Sequence, residues 1–224
     1  MSTPTPSTPS ITFTDPGALN DLGRYASRAR ALDEDAAVRL QISGPVLAAY
    51  VGVLPGSGLL GEGLVLGLRT FRIDSAGSPG ELDLSVPAAA ITDRVNRTPG
   101  ATTLPVPPAQ VHPTWSSITP PRSGWEYAGV AEADDLAAVA RDGLDQVSAA
   151  VKERGAAAGF TKQQVWAQEV TFNSDDPDAA IGLGAGVALA AYALGFLTPG
   201  GQVQVFRTNR WTRVSGPGGH VLAR

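Results

Sequence analysis

The sequence predicts an α+β fold of two similar domains in tandem. Each runs strand, helix, strands, helix, strands, and the second closes on a small antiparallel sheet. Three observations predict this. Apolar residues recur at helical spacing in some segments and at alternate positions in others. The order of those segments repeats along the chain. An apolar stretch, a Thr-Pro-Gly corner and an alternating strand follow one another twice, around Thr98-Pro99-Gly100 and Thr198-Pro199-Gly200.

The chain has 224 residues, 43% hydrophobic and 17% charged, enough to build a core in one large or two small domains. Its net charge of -4 argues against a broadly basic nucleic-acid surface. With no cysteine, disulfides, thiolate catalysis and Cys-ligated zinc are ruled out. Residues 1–10 are Ser/Thr/Pro-rich, without a basic start or apolar run. They read as a disordered tail rather than a signal peptide, and a cytoplasmic location is expected. Ala179 to Leu197 carries no charge and approaches bilayer length. It is mostly Ala and Gly and follows Asp175, Asp176 and Asp178, so it reads as a buried helix, and no membrane contact is expected.

The first domain is expected over residues 11–106. Ile11 to Thr14 alternates as a strand. Asp15-Pro16 opens a helix as cap and first-turn proline, and Leu19, Leu22, Tyr25, Ala26 and Ala29 share its inner face. Val38, Leu40 and Ile42 mark a strand, Gly44-Pro45 a tight turn, and Val46 to Leu54 a strand apolar enough to be covered on both faces. A Gly-rich loop, Pro55 to Gly63, leads to a strand over Leu64 to Asp74. Leu82, Leu84 and Val86 form another strand, and Pro87 opens a helix to about Arg97. Thr102 to Val106 suits an edge strand.

Residues 107–123 form a Pro-rich linker. Seven of the 18 prolines lie between Thr98 and Ser123. The second domain is expected over residues 124–224. Trp125 to Ala131 restarts it as a strand. A helix follows from Ala133 to about Arg154, with Leu136, Val139, Ala140, Leu144, Val147 and Val151 inward. Gln164 to Phe172 fits helix or strand, and its alternation favours strand slightly. A closing helix is expected over Ala180 to Leu197. Strands at Val203 to Phe206, Trp211 to Ser215 and His220 to Leu222 end the chain, the last as a sheet edge.

This order of elements, with Ser85-Val86-Pro87-Ala88 entering the second helix, resembles the domains of DNA sliding clamps. The resemblance implies a clamp-like fold and basic helices facing nucleic acid. Arg24, Arg28, Arg94 and Arg97 match that in the first half, whereas the closing helix of the second carries no charge. Ala193 to Leu197, Trp211 to Arg213 and Gly219 to Leu222 resemble an uncharacterised family from high-G+C Gram-positive bacteria, a resemblance that implies no known function.

The candidate chemistry is sparse. Gly56-Ser57-Gly58-Leu59-Leu60-Gly61 fits G-x-G-x-x-G, but a strand rather than a helix is expected next, so it reads as a hairpin loop. His112 and His220 lack zinc-site spacing, and no G-x-S-x-G elbow is present. Asp33-Glu34-Asp35 and the run Asp175, Asp176, Asp178 do not follow a calcium-loop pattern and read as solvated or helix-capping acids. No catalytic, cofactor-binding or metal residue is assigned, and no cofactor is expected. The one candidate site is an interaction patch of Arg207, Arg210, Trp211 and Arg213, a basic and aromatic hairpin on an acidic chain. A non-catalytic binding or scaffold protein with a protein partner is therefore expected. An enzyme with a site between the halves and a clamp-like nucleic-acid-associated protein are the alternatives.

Overall fold

The computed structural model describes residues 9–58, 61–155, 159–173 and 180–224. It contains β1 (Ser10–Thr12), α1 (Pro16–Leu32), β2 (Ala37–Ser43), β3 (Val46–Ser57), β4 (Glu62–Arg72), β5 (Glu81–Pro87), α2 (Ala88–Arg97) and β6 (Thr103–Pro105). A second series follows: β7 (Glu126–Glu132), α3 (Ala133–Arg154), α4 (Gly159–Ala167), β8 (Glu169–Asn173), β9 (Ala180–Gly184), α5 (Ala185–Ala193), β10 (Gln202–Thr208), β11 (Trp211–Gly216) and β12 (Gly219–Ala223). The expected α+β plan of two tandem domains is present. The chain divides into two compact units, one of residues up to Val51 with Arg69–Ser116, the other of Gly52–Leu68 with Ser117–Arg224. The middle of the β3–β4 hairpin thus belongs with the C-terminal unit.

In the N-terminal unit β2 lies between β3 and β5, antiparallel to both, with Val38 opposite Val51 on one side and Val86 on the other. β1 and β6 pair as a short ribbon, Ile11 opposite Leu104. α1 packs on α2. Its buried face is the expected Leu19, Leu22, Tyr25, Ala26 and Ala29, with Gly23 added. A side chain at Gly23 would come within 2.9 Å of Val95 on α2, so glycine permits the close approach. Pro16 begins α1 as expected, but Asp15 makes no side-chain cap; its carbonyl accepts from the Ala18 amide at 3.1 Å instead.

In the C-terminal unit the sheet order is β4, β12, β11, β10, β7, all antiparallel. The expectation that His220 to Leu222 forms the sheet edge is overturned. β12 pairs on its second side with Val65 to Leu68 of β4, and β7 ends the sheet. Val203, Val205, Val214 and Val221 are buried, and α3 packs on α4 and α5.

Three further expectations change here. The closing helix is α5 alone, and Ala180–Gly184 is a strand paired with β8. Ile181 and Leu183 alternate with glycines, a period of two, and glycine disfavours helix interiors. Residues 164–172 belong first to α4 and then to β8, so the expected strand begins only at Glu169. Leu136 and Ala140 of α3 are buried as expected, but Leu144 and Val151 are 37% and 51% exposed, and Gly143 and Ala150 are buried in their stead. Among the described residues no helix is long and apolar enough to cross a membrane. The acidic run at Asp175, Asp176 and Asp178 lies outside the described residues, as do Leu59, Leu60 and most of the N-terminal tail.

Three helices start without an intervening residue after a strand, at Ala88, Ala133 and Ala185. None has a side-chain cap. In each, the first amide donates to a backbone carbonyl instead: Ala88 to Ala36 at 2.8 Å, Ala133 to Gly201 at 2.9 Å and Ala185 to Gln168 at 2.7 Å. One of the orphan donors of each helix start is thereby satisfied, and the same device recurs in both halves.

Candidate functional site

The hairpin of β10 and β11 carries the predicted patch, and its register divides the patch in two. Arg207 stands opposite Thr212, and Phe206 opposite Arg213. Neighbouring strand residues face opposite sides, so Arg207 and Arg213 cannot share a surface. Arg207 is exposed and donates from Nη2 to the Gly182 carbonyl at 2.9 Å. Arg210 is exposed at the turn, beside Asn209 in its left-handed conformation at φ 48°. Trp211 is only 7% exposed.

These three residues line a half-open cleft of about 530 Å3, together with Thr212, Trp166, Glu169 and Arg224. The Arg224 guanidinium lies 5.9 Å from the Trp211 ring centre. Gly63, Gly182 and Gly184 complete the walls. β9 turns its large residues, Ile181 and Leu183, inward and leaves its glycines on the cleft side. Nothing lies within 4 Å of where a Gly184 or Gly63 side chain would project, so part of the opening is space that side chains would otherwise fill. The Glu169 carboxylate folds over Gly182, its Cδ 3.2 Å from the place of an added Cβ.

Arg213 sits elsewhere, its guanidinium 4.3 Å from the Phe206 ring centre and 4.8 Å from that of Trp125. Burial lowers its pKa from the ordinary arginine value. It is a packing residue held by two aromatic faces. Glu169, Arg224 and the glycines of β9 were not anticipated as site residues. The Gly-x-Gly alternation at Gly182 and Gly184 is the one sequence signal that could have found the cleft wall.

The Gly-rich loop lines a second cavity of about 510 Å3, with Leu54, Lys162 and Trp166. Its G-x-G-x-x-G match leads into strand β4, so no helix N-terminus follows to hold a pyrophosphate. His220 stands opposite Ser215 across β11 and β12, its Nδ1 2.9 Å from the serine Oγ. Burial, and then the charge of Arg213, lower the His220 pKa below 6.5. Asp33 accepts from the Asp35 amide at 3.1 Å, a local turn rather than a ligand cage. Among the described residues no group of three His, Asp or Glu side chains could hold a metal ion. The cleft thus offers three guanidinium groups and one carboxylate, an arrangement suited to holding an anionic group.

Residues 6–117, half of the chain, match the family model of a domain of unknown function, DUF8010. The chain belongs to the DUF8010 family. Beyond this family's segment, residues 120–224 match the model of a second domain of unknown function, DUF8185. No curated protein matches the chain. Among solved structures it is similar to the DNA polymerase III subunit beta of Borrelia burgdorferi, at TM-score 0.57 and 8% identity over 97% of this chain and 64% of that one. The beta subunit of Thermotoga maritima gives TM-score 0.54 and 14% identity over 96% of this chain and 64% of that one. A putative beta subunit of Eubacterium rectale gives 0.56 and 9% over 96% and 64%. The DUF8010 chain therefore has a sliding-clamp-like fold and spans about 64% of the length of these subunits.

Proposed function

We propose that this chain is a non-catalytic binding or scaffold protein, acting in the cytoplasm, whose clamp-like fold presents a docking site for a protein partner. The observation that carries this reading is the cleft of Arg207, Arg210, Trp211 and Arg224 on a chain of net charge -4. A basic, aromatic-lined recess on an acidic protein steers and orients an acidic partner. Arg213 supports the hairpin from its other face and does not touch the partner. A nucleic-acid-associated role is the second reading, favoured by the fold; the uncharged, buried α5 speaks against a basic helical lining in the second half.

The test is affinity capture from the native host by the tagged chain, at low and high salt, beside an Arg207→Ser/Arg210→Ser double variant. Capture of a protein that is lost in the double variant and weakens with salt supports the reading. Capture that ignores both, or nuclease-sensitive recovery of nucleic acid alone, overturns it.

A further inference from the structure

We propose that the cleft takes an extended acidic peptide segment, laid over the glycine side of β9 with its carboxylates on Arg207 and Arg210. This rests on the protein-binding reading above and specifies its ligand. The cleft has room for a short segment: its volume of about 530 Å3 lies within the ordinary range for binding pockets. Gly63 and Gly184 present no side chain to it, so a ligand main chain can approach the backbone closely. The guanidinium forks of Arg207 and Arg210 match carboxylate geometry.

Charge sets the direction of the ligand. Glu169 repels a carboxylate on its side of the cleft and accepts from an amide there. Acidic side chains therefore sit toward the hairpin turn, where Arg210 stands.

A peptide is favoured over a nucleic-acid strand by what the tryptophans offer. Base stacking needs open aromatic faces. Trp166 and Trp211 are 4% and 7% exposed, and the Arg224 guanidinium approaches the Trp211 ring. Neither ring presents an open face for a base, whereas guanidinium–carboxylate pairing is available at the rim.

The probe is a fluorescein-labelled octapeptide of alternating Glu and Val, compared with its Gln-for-Glu counterpart by fluorescence anisotropy on the full chain. Gly184 sits at φ -64° and ψ 139°, which any residue adopts, and its side-chain direction is open. Gly184→Val therefore fills the cleft without backbone strain. The expected result is binding at low salt that is at least ~10-fold weaker for the Gln peptide. Gly184→Val and Arg207→Ser/Arg210→Ser should each weaken it by a similar factor, and unlabelled oligo-dT should not compete. Equal binding of the two peptides, unchanged binding by Gly184→Val with a native melting temperature, or displacement by oligo-dT overturns the proposal. If Gly184→Val fails to fold, the arginine double variant carries the same decision. Should the native host yield an arginine-dependent protein partner that the Glu peptide does not displace, the peptide assignment fails while the protein-binding reading stands. Without such a partner, the reading itself fails.

Discussion

The indole of Trp166 on α4 occupies the place where a side chain at Gly143 on α3 would project; an added Cβ would lie 2.6 Å from the ring atom Cη2. Gly143 is buried and Trp166 is 4% exposed, so neither can move into open space. Gly143→Ala gains about 1 kcal/mol of helix propensity and incurs about 1–3 kcal/mol of overpacking. Because the obstruction is a rigid ring, overpacking wins. Chemical denaturation should show net destabilisation of up to roughly 2 kcal/mol on these magnitudes, with altered tryptophan fluorescence. A variant as stable as the parent would mean that α4 is not seated on α3 in this way. Trp166 also walls the cleft, so acidic-peptide binding should weaken in the same variant.

The two Thr-Pro-Gly corners make the same turn. Ala101 donates to the Thr98 carbonyl at 3.1 Å, and Gly201 to the Thr198 carbonyl at 2.9 Å. Gly100 and Gly200 have φ of 78° and 68°. Proline followed by a residue at positive φ defines a type II turn, and an L side chain there costs about 1–2 kcal/mol. Gly100→Ala and Gly200→Ala should each lower stability by roughly that amount, although nothing within 4 Å obstructs either added methyl. Gly80, equally unobstructed but not at positive φ, is the control. Its alanine variant should be neutral or slightly stabilising, through the unfolded state. Equal effects at all three positions in urea titration would contradict the turn assignment.

How far the residues announce this fold depends on whether a segment shows a period. α1 was legible because Leu19, Leu22, Tyr25, Ala26 and Ala29 repeat at helical spacing, and its buried face is the one expected. α5 is buried at every position from Ala185 to Ala191, so no polar face marks where it begins, and β9 merged with it. α3 misled in the other direction. Leu136 and Ala140 are buried as expected, but Gly143 and Ala150 share the inner face with them while the larger Leu144 and Val151 look outward; at Gly143 the Trp166 ring leaves no room for a side chain. The candidate site was half legible. Arg207, Arg210 and Trp211 adjoin in sequence, but Glu169, Gly184 and Arg224 reach the cleft only through sheet pairing.

His220 makes stability depend on pH in a defined window. Burial, and then the charge of Arg213, hold its pKa below the ordinary 6.5. Between the folded pKa and 6.5 the unfolded chain binds more protons than the folded one, so acid favours unfolding there. The contribution of His220 is fully present above pH 6.5 and is lost as pH falls from 6.5 through the folded value. Urea midpoints should therefore decline over that window. The His220→Gln variant should flatten the decline while retaining a side chain able to bond Ser215. An unchanged pH profile in His220→Gln would assign the decline to other groups.

Arg213 is the residue whose chemistry the hairpin sequence most misrepresents. Placed between Arg210 and the chain end, it reads as one more exposed cation of a patch. Its guanidinium instead lies 4.3 Å from the Phe206 ring centre and 4.8 Å from that of Trp125, and its Nε is buried without a hydrogen-bond partner. A planar, weakly hydrated guanidinium tolerates that environment, whereas a compact ammonium is strongly hydrated and does not stack. Arg213→Lys keeps the charge and removes the stacking, so a role in attraction and a role in packing separate. Packing predicts a loss of about 0.5–2 kcal/mol of stability, a shift in the Trp125 emission, and peptide affinity within about twofold of the parent, a small fraction of the 1.4 kcal/mol that a tenfold change represents. Attraction predicts the reverse for Arg213→Ser: stability retained and affinity lost with its salt dependence. Measured together on the two variants, an affinity loss without a stability loss would return Arg213 to the binding surface and place the cleft on the wrong face of the hairpin.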